Sequence, residues 1–404
     1  MSVDDAALQR AAARLPELMR AGVVHLPEPP PLTLYVHMPW CLRKCPYCDF
    51  NSHAGDADET GYLHALLADL DAALPLVWGR RVRSVFIGGG TPSLFGPDAI
   101  DALLGGVRAR LPLAADAEIT LEANPGTFER ARFAAYAGAG VTRLSLGVQS
   151  FDDAMLRRLG RVHDGAQARA ALDEAAQVFA TFNVDLMFAL PGQDLAQAGA
   201  DVRTALGWSP PHLSLYQLTI EPQTAFAKRV PDGLPDADAA ADMQQAVADL
   251  AIEAGLRRYE VSAYARPGHT CRHNLNYWEF GDYLGIGAGA HSKLSFAHRI
   301  VRQQRWNQPE RYMAAALRGQ AVEDEREVAR RDLPFEFMLN ALRLRDGFDA
   351  ALYPARTGLP ESTLQRGLQR GVARGLLESG ARIRATPRGW DLLNAAIESF
   401  LPDG

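Results

Sequence analysis

Six short apolar runs divide the first half of the chain, and helical stretches separate them. The runs are TLYVHM (33–38), RSVFIGG (83–89), EITLEAN (118–124), RLSLGVQS (143–150), FNVDLMFAL (182–190) and HLSLYQLTI (212–220). Each reads as near-continuously apolar, the pattern of strands buried on both faces. Between them, GYLHALLADLDAALPLV (61–77) and AQARAALDEAAQVFATF (166–182) carry apolar residues at helical spacing. Strand and helix alternating six times predict an α/β fold with a parallel sheet and right-handed crossovers. The closed or nearly closed form is a partial (β/α)6 TIM-like barrel, and an open doubly wound sheet is the alternative.

At 404 residues the chain exceeds one small core. Past residue 225 the rhythm changes: a helix-like ADAAADMQQAVADLAIEAGL (237–256), then RYEVSAYA (258–265), then the glycine-rich GDYLGIGAGAHS (281–292). From Leu333 the pattern is helical again and ends in the strand-like ARIRATPRGW. The expected division is an N-terminal helical extension (1–31), the barrel (32–225), a barrel extension (226–330) and a small, mainly helical, winged-helix-like C-terminal domain (331–404). The last boundary is expected in the charged stretch VEDEREVARRD (322–332).

The chain carries a net charge of -6, with a pI of about 6.0. That weighs against a nucleic-acid coat, which needs a basic excess. The tail arginines Arg366, Arg370, Arg374, Arg382, Arg384 and Arg388 read as a solvated face, so no nucleic-acid partner is expected. No apolar run approaches the ~20 residues of a membrane helix, and the first residues lack a secretory signal core. A cytoplasmic location is expected, where disulfides are rare and clustered cysteines bind metal or do redox chemistry.

Three of the four cysteines, Cys41, Cys45 and Cys48, stand within MPWCLRKCPYCDF (38–50). This C-x3-C-x2-C spacing suits an iron–sulfur cluster. Three protein ligands leave one position open for an outside ligand, as catalytic metal sites do. The alternative is zinc completed by His37 or His53. The other unusual residues fall at the C-terminal ends of successive strands, where such barrels gather their working groups. GGGTPS (88–93) follows the second strand, with amides able to meet a carboxylate or amine. Glu122 ends the third strand, Gln149 the fourth, Asp185 lies in the fifth and Gln217 near the end of the sixth; Arg161 follows the fourth. Such groups bind ribose hydroxyls, an amino group or a carboxylate, although singly each is an ordinary capping or surface residue.

With YVHMPWCLRKCPYCDF, GGGTPS, LEANPGT, RLSLGVQSFDDAMLRRLGR, NVDLMFALPGQ and CRHNLNYW together, the chain resembles the radical S-adenosylmethionine (SAM) family that includes the oxygen-independent coproporphyrinogen III dehydrogenase (oxidase) and its heme-chaperone relatives. The resemblance runs from about Leu32 to the C-terminal helices. It implies a 4Fe-4S cluster on Cys41, Cys45 and Cys48 with SAM chelating the open iron. It also implies SAM contacts from Tyr35, Tyr47, Gly89, Gly90, Thr91, Glu122, Gln149, Arg161 and Asp185, with Gln217 the weaker match. The dehydrogenase branch carries a further cysteine two residues past the triad; here that residue is Phe50, as in the chaperone branch. The chaperone branch also carries H-N-x-x-Y-W, here His273, Asn274, Tyr277 and Trp278.

His and Cys are both axial ligands of heme iron, and Tyr277 and Trp278 offer flat faces to a macrocycle. Without the resemblance, the segment reads as a packed link with His273 bonded to a backbone group. Cys271 is open between a buried thiol, a second heme ligand and neither. The resemblance implies a chaperone that binds heme and passes it to acceptor proteins, membrane-associated respiratory ones among the candidates, with a flavodoxin- or ferredoxin-type electron donor. Its rivals are oxidative decarboxylation of coproporphyrinogen III and a DNA-binding regulator with an iron–sulfur sensor, which the acidic pI disfavours.

Overall fold

The computed structural model describes residues 24–127 and 130–402. Most of the expected N-terminal extension lies outside the described residues. The six expected strands form: β1 (Leu32–Met38), β2 (Val82–Gly89), β3 (Leu113–Ala123), β4 (Arg143–Gln149), β5 (Phe182–Phe188) and β6 (His212–Gln217). They are mutually parallel and adjacent in chain order. The crossovers run through α1 (Glu59–Ala73), α2 (Pro97–Arg108), α3 (Arg130–Ala139), α4 (Gly165–Val178) and α5 (Leu195–Leu206). Asp164 and Asp194 open α4 and α5 with reciprocal capping boxes to Gln167 and Gln197, which fixes where each helix begins.

The strands are not apolar on both faces, contrary to the sequence reading. Leu34, Val36, Val85, Ile87, Leu121, Leu144, Leu146, Val184, Leu186, Leu213 and their neighbours form one core with the helices. The alternate positions carry Tyr35, His37, Ser84, Phe86, Glu118, Glu122, Ser145, Asn183, Asp185, His212 and Ser214. Because side chains alternate across a strand, these share the inner face.

The sheet is also wider than six strands. Arg257–Arg258 (β7) and Ala263–Ala265 (β8) extend it antiparallel beyond β6. On the other side, β9 (Asp282–Ile286) pairs parallel with β1, so the glycine-rich segment is a seventh parallel strand. Three antiparallel strands follow it: β10 (His291–Phe296), β11 (Arg299–Arg305) and β12 (Val322–Glu327). The charged stretch expected to be a boundary is therefore an edge strand over its first half. Its exposed acids suit an edge, since charge deters pairing with another chain. The helix α6 (Ala237–Glu253) packs beside α5, and α7 (Arg272–Trp278) carries the CRHNLNYW motif.

The C-terminal part contains helices at Leu333–Ala341, Leu352–Thr357 and Gln365–Ala373, and a small sheet whose hairpin is Leu377–Glu378 with Arg382–Ala385. Its core, around Phe337, includes Val24 and Leu26 from the start of the described chain and Phe280 from just past α7. Arg370, Arg374 and Arg382 bond to local carbonyls, and Arg384 pairs with Glu378 at 2.6 Å.

Candidate metal centre and adjoining aromatic wall

The loop after β1 carries three free thiols, all half-buried. Each sulfur faces one side-chain partner. Thr91 Oγ1 donates to Cys41 Sγ at 3.5 Å, Arg161 to Cys45 Sγ at 3.6 Å, and Ser52 Oγ lies 3.6 Å from Cys48 Sγ. Burial, reinforced by the neighbouring cysteines, pushes the Cys41 and Cys48 thiols up. A bound cation would favour the thiolate form that burial disfavours at Cys41 and Cys48. Among the described residues, no three His, Cys, Asp or Glu side chains converge as a site for one metal ion. A four-iron cluster asks for something wider, one thiolate per iron. His37 and His53 are turned to other work: His37 bonds to Tyr35 Oη at 2.9 Å and Asn51 O at 2.8 Å, and His53 to Asn51 Oδ1 at 3.1 Å. The donor set fits a cluster and not zinc.

Asn124 links two of these donors and was not singled out in the sequence. Its amide donates to Thr91 Oγ1 at 2.8 Å, and its carbonyl accepts from Arg161, which also donates to Gly147 O at 2.8 Å. Its only sequence signal is its place between a strand end and a proline. Tyr47 packs on Phe226 and is bonded to Arg161.

The glycine triplet does something other than expected. Its amides are already taken: Gly89 N donates to Glu122 Oε2 at 3.0 Å, Gly90 N to Met38 O and Thr91 N to Trp40 O, both at 2.7 Å. What the glycines provide is space. A Cβ on Gly88 would lie 2.8 Å from Glu122, and one on Gly90 2.5 Å from Trp40 O. The glycines thus let β2, the cysteine loop and Glu122 pack closely against one another.

Gln149 adopts φ 67°, a left-handed conformation uncommon without glycine. Its side chain folds back over Gly147. Asp185 is held by Asn183 and Ser145. Gln217 ends β6 exposed, and among the described residues its side chain hydrogen-bonds to none. The rim therefore joins every expected residue except Gln217.

Burial, with Asp185 adding, raises the Glu122 carboxyl to about 7 against the bonding of Gly89 N. A raised folded-state value favours the fold while the group is protonated, and that contribution is lost as pH rises through about 7. Glu122→Gln keeps the acceptor without the charge. The ligand-free variant is expected to be about 1–2 kcal/mol more stable at pH 8 after screening at the mouth, with no gain by pH 4. Urea unfolding at the two pH values checks this; an equal difference at both would refute it.

The motif helix α7 lies along the same inner face. His273 is buried, stacks on Phe86 at 4.9 Å and sits 3.5 Å from Ser84 Oγ. Among the described residues its ring bonds to no backbone group. Tyr35 joins the stack, 6.3 Å from Phe86 and 6.2 Å from His273. Tyr277, one turn on, stacks on Tyr283 at 4.1 Å. Tyr35, Phe86, His273, Tyr277 and Tyr283 thus form an aromatic wall that reaches the cysteine loop through the Tyr35–His37 bond. Trp278 faces elsewhere, packed against the C-terminal core under Arg343, 4.5 Å from its ring. Asn274 is half-buried. Burial depresses His273 to about 3, leaving the imidazole neutral. Cys271 is a buried thiol raised to about 12, its sulfur 3.6 Å from Glu118.

The Radical SAM superfamily model matches residues 35–205, and the HemN C-terminal domain model matches 328–392. The heme chaperone HemW of Escherichia coli (strain K12) is 49% identical over 379 residues, 93% of this chain and 99% of that protein. The heme chaperone HemW of Mycobacterium tuberculosis (strain H37Rv) is 37% identical over 382 residues, 92% of this chain and 95% of that one. Among solved structures, the coproporphyrinogen III oxidase HemN from Escherichia coli has a TM-score of 0.79 at 24% identity, covering 99% of this chain and 93% of that one. At that identity the likeness speaks for the fold alone. The near end-to-end match at close to half identity decides the family: the chain belongs to the HemW family of radical SAM proteins.

Proposed function

We propose that this protein binds heme on the wall around His273 and hands it to acceptor proteins, with a SAM-ligated 4Fe-4S cluster beside it. The carrying observation is the placement of the H-N-x-x-Y-W helix on the inner face. There a neutral, buried His273 stands among aromatic rings in one continuous stack with the cysteine loop's neighbour Tyr35. A neutral imidazole is the form that ligates iron. Flat rings suit a macrocycle.

Cys41, Cys45 and Cys48 would hold the cluster, and the cradle of Gly89, Gly90, Thr91 and Glu122 would hold SAM with Gln149, Arg161 and Asp185. Bound there, the pair would supply one-electron chemistry. This chain's residues do the rest. Thr91, Ser52 and Arg161 stabilise sulfur charge, and Glu122 and Asp185 accept from hydroxyl or amino groups. Asn274 and Tyr277 would flank the heme beside His273, while Trp278 packs the helix against the C-terminal core. An electron-donating flavodoxin or ferredoxin type of protein and membrane-associated respiratory acceptors are the fitting partners. Among the described residues no helix is long and apolar enough to cross a membrane. A cytoplasmic location suits free thiols.

An anaerobic heme titration of the cluster-loaded protein tests this. One heme per chain is expected from the Soret change, with affinity at least about tenfold lower in His273→Ala. No saturable binding, or sustained formation of protoporphyrinogen IX, would overturn the proposal in favour of porphyrinogen oxidation.

A further inference from the structure

Beneath the rim, the inner face of β4 to β6 carries a run of buried polar side chains that the proposed binding steps do not use. Asn183, His212, Ser145, Ser214 and Tyr259 are all buried. They connect. Asn183 Nδ2 lies 2.7 Å from Asp185 Oδ1 and 2.8 Å from Ser145 Oγ. Asn183 Oδ1 accepts from Ser214 Oγ at 3.0 Å and meets His212 Nδ1 at 2.6 Å. His212 Nε2 lies 2.9 Å from Tyr259 Oη, and Tyr259 Oη accepts from Cys271 N at 3.3 Å.

The donors can be assigned along the chain. A carboxylate only accepts, so Asn183 presents its amide nitrogen to Asp185 and its oxygen to His212. His212 must then carry its proton on Nδ1, which leaves Nε2 to accept from the Tyr259 hydroxyl. Cys271 N–H donates to that hydroxyl in turn. Every link points the same way, from the first residue of the motif helix towards the rim carboxylate. Hydrogen bonds in such a series polarise one another.

The far end of the chain is a helix start. Cys271 is the N-cap of α7, and its sulfur faces the backbone amides of His273 and Asn274. The helix start is also held from outside, by Tyr259 on Cys271 N and by Glu118 Oε1 on Arg272 N at 2.9 Å. His273 comes two residues later. A change in what Asp185 accepts therefore has a continuous path of direct hydrogen bonds to the residue at the entry of α7. A broken link would leave a buried donor or acceptor unsatisfied, at a substantial cost, so the path behaves as one unit.

We infer that His212 is a positioning residue coupling occupancy of the Asp185 rim to the helix that presents His273, so that SAM and heme bind interdependently. This rests on the function proposed above and adds regulation to the same site. His212 and Tyr259 are buried and stand outside the residues proposed to hold either ligand. Coupling of this kind is reciprocal: whatever factor SAM imposes on heme affinity, heme imposes on SAM affinity.

The experiment is a heme titration of the full-length, cluster-loaded protein with and without saturating SAM, repeated for His212→Phe and Tyr259→Phe. In the wild type, SAM is expected to change the heme Kd by about fivefold or more. Both variants are expected to keep SAM-free heme binding and to lose the SAM effect, which a merely structural role would leave in place. Tyr259→Phe removes one hydroxyl only and decides the matter if His212→Phe does not fold. Heme binding in the wild type that is indifferent to SAM would overturn the coupling while leaving the chaperone reading intact. So would a SAM effect that survives Tyr259→Phe. No heme binding at all in the wild type would instead fail the underlying reading, and the coupling with it.

Discussion

Cys45→Ala protein, reconstituted anaerobically with iron and sulfide, is expected to stay nearly colourless where the wild type turns brown. The wild type should hold about four irons and four sulfides per chain, and the variant close to none. Three thiolates are all the chain offers at this loop, and each sulfur has its own polar partner. Removing Cys45 leaves Arg161 beside a vacated ligand position. Two remaining thiols that burial keeps hard to ionise make a poor anchor. Cys271→Ala is the matched control. Its sulfur rests against Glu118 below the rim, so full iron and sulfide are expected. Wild-type metal content in Cys45→Ala, or loss of it in Cys271→Ala, would sink the ligand assignment.

The cysteine triad and the six-strand rhythm were legible because they are local: spacing and apolar runs need no partner. The inner face was harder to see. FNVDLMF reads as apolar when hydrophobic residues are counted, yet Asn183 and Asp185 are the residues that turn inward and do the polar work. The strand's period of two carried that information, and the strong outer-face residues masked it. DYLGI was missed as a strand because the glycine-rich segment around it argues against one. Gly285 is needed there, since a Cβ would lie 2.1 Å from His291 O. The stretch beginning VEDERE read as a domain boundary because an edge strand at the end of a sheet can be highly charged. The motif H-N-x-x-Y-W was visible, but not the division of its faces. His273 and Tyr277 point to the barrel and Trp278 to the C-terminal core, a split that depends on where the second domain docks. Nor could the sequence show that the GGGT amides are used internally, because their acceptors, Glu122, Met38 O and Trp40 O, come from other segments.

Asp282→Ala is expected to be the most destabilising of the substitutions considered, at about 3–5 kcal/mol, because it strands buried cations. Asp282 is fully buried at the start of β9 and meets Lys293 at 3.0 Å and Arg80 at 2.8 Å. It also accepts from Ser295 N and Ser295 Oγ at 2.8 and 2.7 Å. Lys293 is itself 1% exposed and turns its remaining bonds to Phe280 O and Gly281 O, which close the end of α7. Alanine would leave that ammonium in a dry pocket with only carbonyls and a hydroxyl for company. For a chain of 404 residues the lost energy corresponds to a fall in Tm of about 5 °C, readable by circular dichroism. Burial alone would raise the Asp282 carboxyl, but Lys293 and Arg80 outweigh it and hold it below the usual carboxylate range. A depressed folded-state value supplies stability at neutral pH that is lost as pH falls through the acid range. The gap between wild type and variant should therefore narrow on acidification. Asp282→Asn, which keeps the shape and part of the bonding, should fall between the two. A variant within about 1 kcal/mol of wild type at pH 7 would mean that the surrounding carbonyls suffice for Lys293. The ion pair would then be dispensable to the strand that joins the motif helix to the barrel.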